Sequence, residues 1–274
     1  MTALTDIKAW LADPGHWQRR TRRLRARLEN HRKPLVNDPV DLSAFPDLPA
    51  PVRQWLSQVL TDGQRRIEAV DIRHSGQFNT NNDGERWRPF RSEQRVLIDR
   101  PGFHWDARIA FLPGIAVRVH DAYIDGRGLL RAAVAGLITV VNLEDSGDLA
   151  AGELMRYAAE AAWYPTALLP GPNLHWAPID EHSARLTLRD SGHAISLVFG
   201  FDDNGLLATV SADDRPRLVA GKAIPTAWQG RFWNYQRRDG LCIPTDGEVS
   251  WLLPDGPHPY WRGQIDAIHY ELAR

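Results

Sequence analysis

If residues 152–164 wind as an α-helix at about 100° per residue, Glu153, Arg156, Tyr157, Glu160, Trp163 and Tyr164 share one side of it, over an arc roughly 120° wide. Two carboxylates, a guanidinium, two phenols and an indole grouped in this way fit two kinds of chemistry. One is a structural cluster of Glu153–Arg156 and Arg156–Glu160 ion pairs, each contributing about 0.2–0.5 kcal/mol on an exposed helix. The other is a ligand site, because three large aromatics on a solvent face would leave a sizeable apolar patch. The sharper expectation is a face lining a cavity, where partly buried carboxylates around Arg156 position groups or hold a ligand. The opposite face carries Leu154, Met155, Ala158, Ala159, Ala161 and Ala162, small enough for close backbone approach to a neighbour.

Other chemistry-bearing residues are dispersed. Trp105, Trp163 and Trp176 belong to an unusually large set of 11 tryptophans, which line apolar pockets as well as fill β cores. His74, in Arg73-His-Ser-Gly-Gln-Phe78, sits in a β-rich region and reads as a satisfied core histidine or, less favoured, as a residue facing the cavity. The pairs His104-x-Asp106 and His120-Asp121 invite a metal, but alternation puts His104 and Asp106 on the polar face of their strand. There is no H-E-x-x-H, and Cys242 is the only cysteine, so a thiolate site is excluded. Glycine-rich nucleotide fingerprints and a G-x-S-x-G elbow are also absent. No cofactor is expected. If the chain is an enzyme, a hydrolase or isomerase with Glu160 as general base near His74 or Asp180 is the reading available.

The elements that must position these groups are mostly strands. Phe103, Trp105, Ala107, Ile109 and Phe111 alternate with polar or small residues, a half-buried strand. Alternation returns at Ala184/Leu186/Leu188 and Ile195/Leu197/Phe199/Phe201, with further strands near 206–211, 228–238, 246–253 and 260–272. Tight turns punctuate them: Asn82-Asp83-Gly84, Pro101-Gly102, Pro113-Gly114, Asp125-Gly126 and Asp202-Asp203-Asn204-Gly205. The apolar run from Leu129 to Leu143 reads as one strand covered on both faces. Connections this short favour an antiparallel meander over parallel crossovers, and about ten strands would curl into an open or half-closed barrel.

Before the strands, residues 5–31 read as helical with a break at Asp13-Pro14-Gly15. A stripe of Trp17, Thr21, Leu24 and Leu28 runs among arginines. From His16 to Lys33 eight cations face Glu29 alone, although the whole chain has net charge -1. This basic helix suits a solvated arm, an anionic lipid surface or, least favoured, nucleic acid. A proline-rich connector (33–51) and a short helix with Val52, Trp55, Leu56, Val59 and Leu60 on one face follow it. Mean hydropathy is -0.40, and no apolar stretch approaches the ~18–20 residues of a membrane-spanning helix. The N-terminal residues lack the layout of a secretory signal. Together these lead to the expectation of a cytoplasmic protein.

The central stretch Glu153-x-x-Arg156-Tyr157-x-x-Glu160-x-x-Trp163-x-Pro165-Thr166-Ala167-Leu168-Leu169 resembles the central motif of a bacterial family of unknown function. His74-Ser-Gly76 with Phe78, Trp87-Arg-Pro-Phe90 with Gln94, Gly102-Phe-His-Trp105-Asp-Ala-Arg108, Trp176 with Asp180, and Ile243-Pro244 with Glu248 and Trp251 resemble the same family over roughly residues 48–272. The family brings no established activity. Its meander–helix–meander order is similar to the half-barrels of lipoprotein carriers. The expected architecture is therefore α+β: a curved antiparallel sheet of about ten strands, helix 152–164 on its concave side, a basic arm over 1–33 and one domain over 34–274. The expected function is binding of an apolar or amphiphilic small molecule between helix and sheet. Trp105, Tyr157, Trp163 and Trp176 would form its wall, Arg156 would meet the head group, and Glu153 and Glu160 would hold Arg156.

Overall fold

The computed structural model describes residues 14–274 apart from positions 34, 36–38, 62, 82–83, 146 and 220. The helix expected before Pro14 and the Asn82-Asp83 turn lie outside the described residues. Two meanders build one antiparallel sheet. The first is β1 (Ile67–Asn79), β2 (Trp87–Leu97), β3 (Gly102–Leu112), β4 (Ile115–Ile124), β5 (Arg127–Val134) and β6 (Ile138–Asp145). The second is β7 (Leu174–Asp180), β8 (Ser183–Asp190), β9 (His193–Phe201), β10 (Leu207–Val219), β11 (Lys222–Arg238), β12 (Leu241–Leu253) and β13 (Gly256–Leu272). They join where β1 pairs β13, giving the order β6-β5-β4-β3-β2-β1-β13-β12-β11-β10-β9-β8-β7. The sheet is open, with β6 and β7 as its edges.

The sheet has 13 strands, against about ten expected. Part of the difference is the run 129–143, which folds as the β5–β6 hairpin instead of one covered strand. Ala135 and Gly136 take the left-handed backbone of a tight hairpin turn (φ 54° and 76°), in a stretch with no polar turn residue to announce it. As an edge strand, β6 leaves Ile138, Val140 and Leu143 exposed. At the seam, Gly76 pairs with Gly263, and a Cβ on Gly76 would collide with the Arg262 carbonyl oxygen. Only glycine lets the two meanders approach this closely.

Helix α3 (Asp148–Glu160) connects the meanders and touches β3, β4, β5, β6, β9, β10 and β11, so the sheet curves around it. It begins four residues earlier than the expected 152. Asp145 Oδ1 accepts from the Gly147 N–H just ahead of it, and Asp148 complements the helix dipole in the first turn. It ends at Glu160, and the chain continues as two 3₁₀ turns, Ala161–Trp163 and Pro165–Leu168. Proline at 165 fits the start of a new turn but removes the donor an α-helix needs. Ala150, Leu154 and Ala158 are fully buried, as the small-residue face requires. Helix α2 (Ala50–Val59) adds Val52, Trp55, Leu56 and Val59 to the same core.

Helix α1 (Pro14–Glu29) lies on the other face of the sheet. Its stripe is buried as its spacing predicts: Leu24 and Leu28 form a separate cluster with Ala69, Leu97, Ala122, Ile124 and Leu129. The arm is docked, and several of its cations are engaged by the sheet. Arg25 pairs with Glu93, Arg27 with Glu144, and Arg32, just past the helix, with Glu68 and Glu271. Arg22 and Arg23 remain exposed.

Candidate functional site

Strand register assembles the site. Gln94 on β2, Trp105 on β3 and Asp121 on β4 are direct cross-strand partners, so their side chains form one row on the inner face. Arg156 of α3 lies across this row. Its Nη1 donates to Asp121 Oδ2 at 2.6 Å, its Nε to Glu160 Oε1 at 2.7 Å and its Nη2 to Gln94 Oε1 at 3.3 Å. Gln94 Nε2 closes the ring by donating to Glu160 Oε2 at 2.6 Å. The guanidinium also sits 4.9 Å from the Phe103 ring centroid and 5.0 Å from that of Trp105. Arg156, Asp121 and Glu160 side chains are only 13–17% exposed.

Of the two expected carboxylate partners, the structure gives Arg156 one. Glu160 holds it, whereas Asp121 takes the place foreseen for Glu153. Glu153 is buried, and its Oε2 and the Oδ1 of Asp121 both lack a hydrogen-bond partner. Burial, then the negative charge of Asp121, raises the Glu153 carboxyl well above its ordinary range, although Arg156 and Arg215 act against this. Of the carboxyls around Arg156, Glu153 is thus held furthest above its ordinary range. Both oxygens of Glu160 accept a hydrogen bond, from Gln94 and from Arg156, which ties the carboxylate into the network. Asp180 is far from such a role: it sits exposed in the β7–β8 turn, accepting from the His182 N–H and Ser183 Oγ.

The next row inward is neutral. His74 on β1 faces Ser92 on β2, with Nδ1 3.3 Å from the serine hydroxyl and Nε2 unpartnered. Burial, aided by the Arg156 charge, pushes His74 down to about 3. Its ring lies 5.0 Å from Trp163, whose Nε1 is also unpartnered. Tyr157 is buried beneath the helix, and Trp176 packs edge-on against Phe199 while donating to the Leu168 carbonyl. Arg156, Glu160, Glu153, Trp105 and Tyr157 thus gather at α3, with His74 and Trp163 adjoining them. Trp176 stands apart on the edge strand β7.

The sequence offered no signal for Arg215. A bulge in β10 between Ala212 and Arg215 leaves Asp213 and Asp214 exposed and turns Arg215 inward, where it is 8% exposed. Its guanidinium lies 4.9 Å from the Trp228 ring and 5.6 Å from Trp251. It donates to Tyr260 Oη at 2.9 Å and to the Gly152 carbonyl at 3.4 Å, and its Nε has no partner. Among the described residues, no carboxylate lies within ion-pair distance of it. Half-buried Trp251 stacks on Tyr260, and Tyr260 meets Phe78 edge-on.

The second polar cluster lies beneath α1. Trp17 stacks on His120 at 3.9 Å and donates to Asp106 Oδ1. Thr21 Oγ1 donates to Asp106 Oδ2 at 2.7 Å and lies 2.9 Å from His120 Nε2. The hydroxyl proton is thereby committed to the carboxylate, so His120 donates from Nε2 to Thr21. His104, expected on a polar face, is fully buried there, with both ring nitrogens unpartnered. Burial and then the neighbouring His120 push it down to about 3. The unfolded chain takes up the His104 proton near 6.5 while the native state refuses it to about 3, so stability falls as pH drops through that window. His104→Leu is expected to unfold within about 1 kcal/mol of wild type at neutral pH, since no hydrogen bond is lost. It should lose less stability than wild type as the buffer is taken from about pH 7 to about pH 5 in urea unfolding. Equal acid sensitivity of the two proteins would contradict this assignment.

Two surface clefts lie elsewhere. One of about 490 Å³ involves Leu28, Asp99, Arg100 and Asp190, and one of about 690 Å³ involves Arg32, Glu68 and Glu271.

No curated protein matches the chain. Three solved structures match the chain at low identity. A LolA superfamily protein from Nitrosomonas europaea is 10% identical, covering 81% of this chain and 92% of its own, with a TM-score of 0.41. A domain described as an outer membrane lipoprotein-sorting protein, from Vibrio parahaemolyticus, is 12% identical over 74% of this chain and 85% of its own, with a TM-score of 0.40. A β-barrel-like protein of a domain of unknown function from Brucella abortus is 12% identical over 76% of this chain and 100% of its own, at 0.26. Residues 46–270, which hold β1–β12, most of β13, α3 and the Arg156 network, match the family of unknown function DUF6920, and the chain belongs to it.

Proposed function

We propose that the chain binds an amphiphilic small molecule with an anionic head group, held at Arg215, and an apolar part laid along Trp251, Tyr260 and Phe78. The observation that carries this reading is the Arg215 guanidinium: buried, walled by aromatic rings, and without a carboxylate partner or a bond for its Nε. A buried cation left unpaired is costly, and a carboxylate or phosphate oxygen supplied by a ligand would complete its hydrogen bonding. The aromatic surface leads inward through Trp261 to Trp163 and His74, which lie within ring-contact distance of one another. Arg156 has a different part in this scheme. With each of its three nitrogens hydrogen-bonded, it fastens α3 over the Gln94–Trp105–Asp121 row, which forms the floor under the ligand.

The test is a titration of the full chain with a fluorescent fatty acid and with its methyl ester, read by tryptophan emission. Saturable binding is expected, with the acid held about tenfold more tightly than the ester. In Arg215→Gln that preference should disappear while the ester still binds. Equal affinity of acid and ester in the wild type would remove the head-group role. Failure of both to saturate would overturn the amphiphile reading.

A further inference from the structure

Two hairpin turns, β3–β4 and β10–β11, carry exposed apolar side chains. Six of the large hydrophobic side chains that stand exposed among the described residues are at these two turns. The β3–β4 turn presents Phe111, Leu112 and Ile115, and the β10–β11 turn presents Leu218, Val219 and Ile224. The second hairpin is also unsupported. β9 pairs with β10 only as far as Ser211, and β12 pairs with β11 only from Trp228 onward. Beyond those points β10 and β11 pair only with each other, as far as Val219↔Lys222. A two-stranded ribbon is marginal in water by itself, and this one carries its apolar side chains uncovered.

The charges around these two tips have one sign. From Arg108 to Arg118 the ionisable residues are those two arginines, and from Pro216 to Thr226 they are Arg217 and Lys222. Apolar tips with cations set just behind them match the layering of an anionic bilayer, where acyl chains lie beneath a negative head-group plane. We infer that these two hairpin tips dock on an anionic lipid membrane. The basic helix α1 is a poorer candidate for that contact, because its apolar stripe is buried against the sheet and several of its arginines are paired.

The inference is independent of the Arg215 reading and is tested with the full chain and vesicles rather than with a soluble ligand. Co-sedimentation with phosphatidylcholine vesicles is compared with vesicles that also contain phosphatidylglycerol. Binding to the anionic vesicles is expected to be about tenfold stronger or more, and to weaken as salt is raised. Leu218→Ser with Ile224→Ser, and separately Phe111→Ser with Leu112→Ser, should each lower it about tenfold. All four side chains are exposed, so circular dichroism should report an unchanged fold. Binding that ignores lipid charge, or that survives both double substitutions, overturns the proposal. So does loss of binding only on Arg22→Glu with Arg23→Glu, which would put the contact on α1, or sedimentation showing that the tips pair two copies of the chain.

Discussion

Arg156→Ala is expected to lower the unfolding free energy by about 3–5 kcal/mol, the usual cost of removing one member of a buried ion pair. The magnitude follows from what is left behind. Asp121 loses its 2.6 Å partner, Glu160 keeps only the Gln94 donor, and Glu153, raised by burial and then by the Asp121 charge, supplies no compensating cation. Two carboxylates at 13–15% exposure would then face each other across a void with no cation in contact. Asp121 can escape by protonation, which gives the prediction its sign. Burial already raises Asp121, with Arg156 the main opposing influence, so removing Arg156 raises it further. A carboxyl whose folded-state affinity for protons exceeds its unfolded value loses stability as pH rises through that interval and regains it as pH falls. The deficit of Arg156→Ala against wild type, measured by urea unfolding, should therefore be largest at neutral pH and shrink toward about pH 4. A deficit that is pH-independent, or below about 1 kcal/mol, would mean the network contributes packing alone.

Much of this arrangement was legible before the fold. The alternation of Phe103, Trp105, Ala107 and Ile109 placed Trp105 on the inner face, and helical spacing grouped Glu153, Arg156 and Glu160. What spacing along one helix cannot show is the partner on another element. Asp121 drew notice only beside His120, yet the register of β2, β3 and β4 delivers it to Arg156 instead. Arg215 was hidden for a different reason. Strict alternation assigns faces by counting in twos, and the β10 bulge breaks the count next to it. Leu129–Leu143 misled because Ala135-Gly136 turns the chain through backbone conformation without the usual polar residues. On the convex side, His104 and Asp106 were assigned correctly to the face opposite Trp105. That the face is covered depends on a helix more than 70 residues earlier in the chain.

That covering helix sets the second large effect. Trp17→Ala is expected to release α1 from the sheet. Trp17 is 2% exposed, stacks on His120 and donates to Asp106, so the change removes an indole's worth of buried surface and one hydrogen bond together. Truncations of this kind cost about 3–5 kcal/mol where the site cannot collapse. Here the site has little means to do so, because beneath Trp17 lie His120, the unpartnered His104 and Asp106, which is held at about 2 against its burial by His120, Trp17 and Thr21. Water entering to solvate them favours undocking over repacking. The ion pairs from Arg25 and Arg27 are too exposed to hold the helix by themselves, each contributing at most about 1 kcal/mol. Undocking should be local, since α1 shares its buried residues with the small convex cluster and not with the main core. The expected result is tryptic cleavage among Arg19–Arg27 accelerated about a hundredfold, in proportion to the opening equilibrium, while the sheet resists. Hydrogen exchange should show the same division, with α1 amides and the outer faces of β3 and β4 losing protection and β11–β13 keeping theirs. Loss of protection throughout the sheet would instead make α1 an integral part of the cooperative fold, and unchanged cleavage would show that Leu24 and Leu28 suffice to hold it.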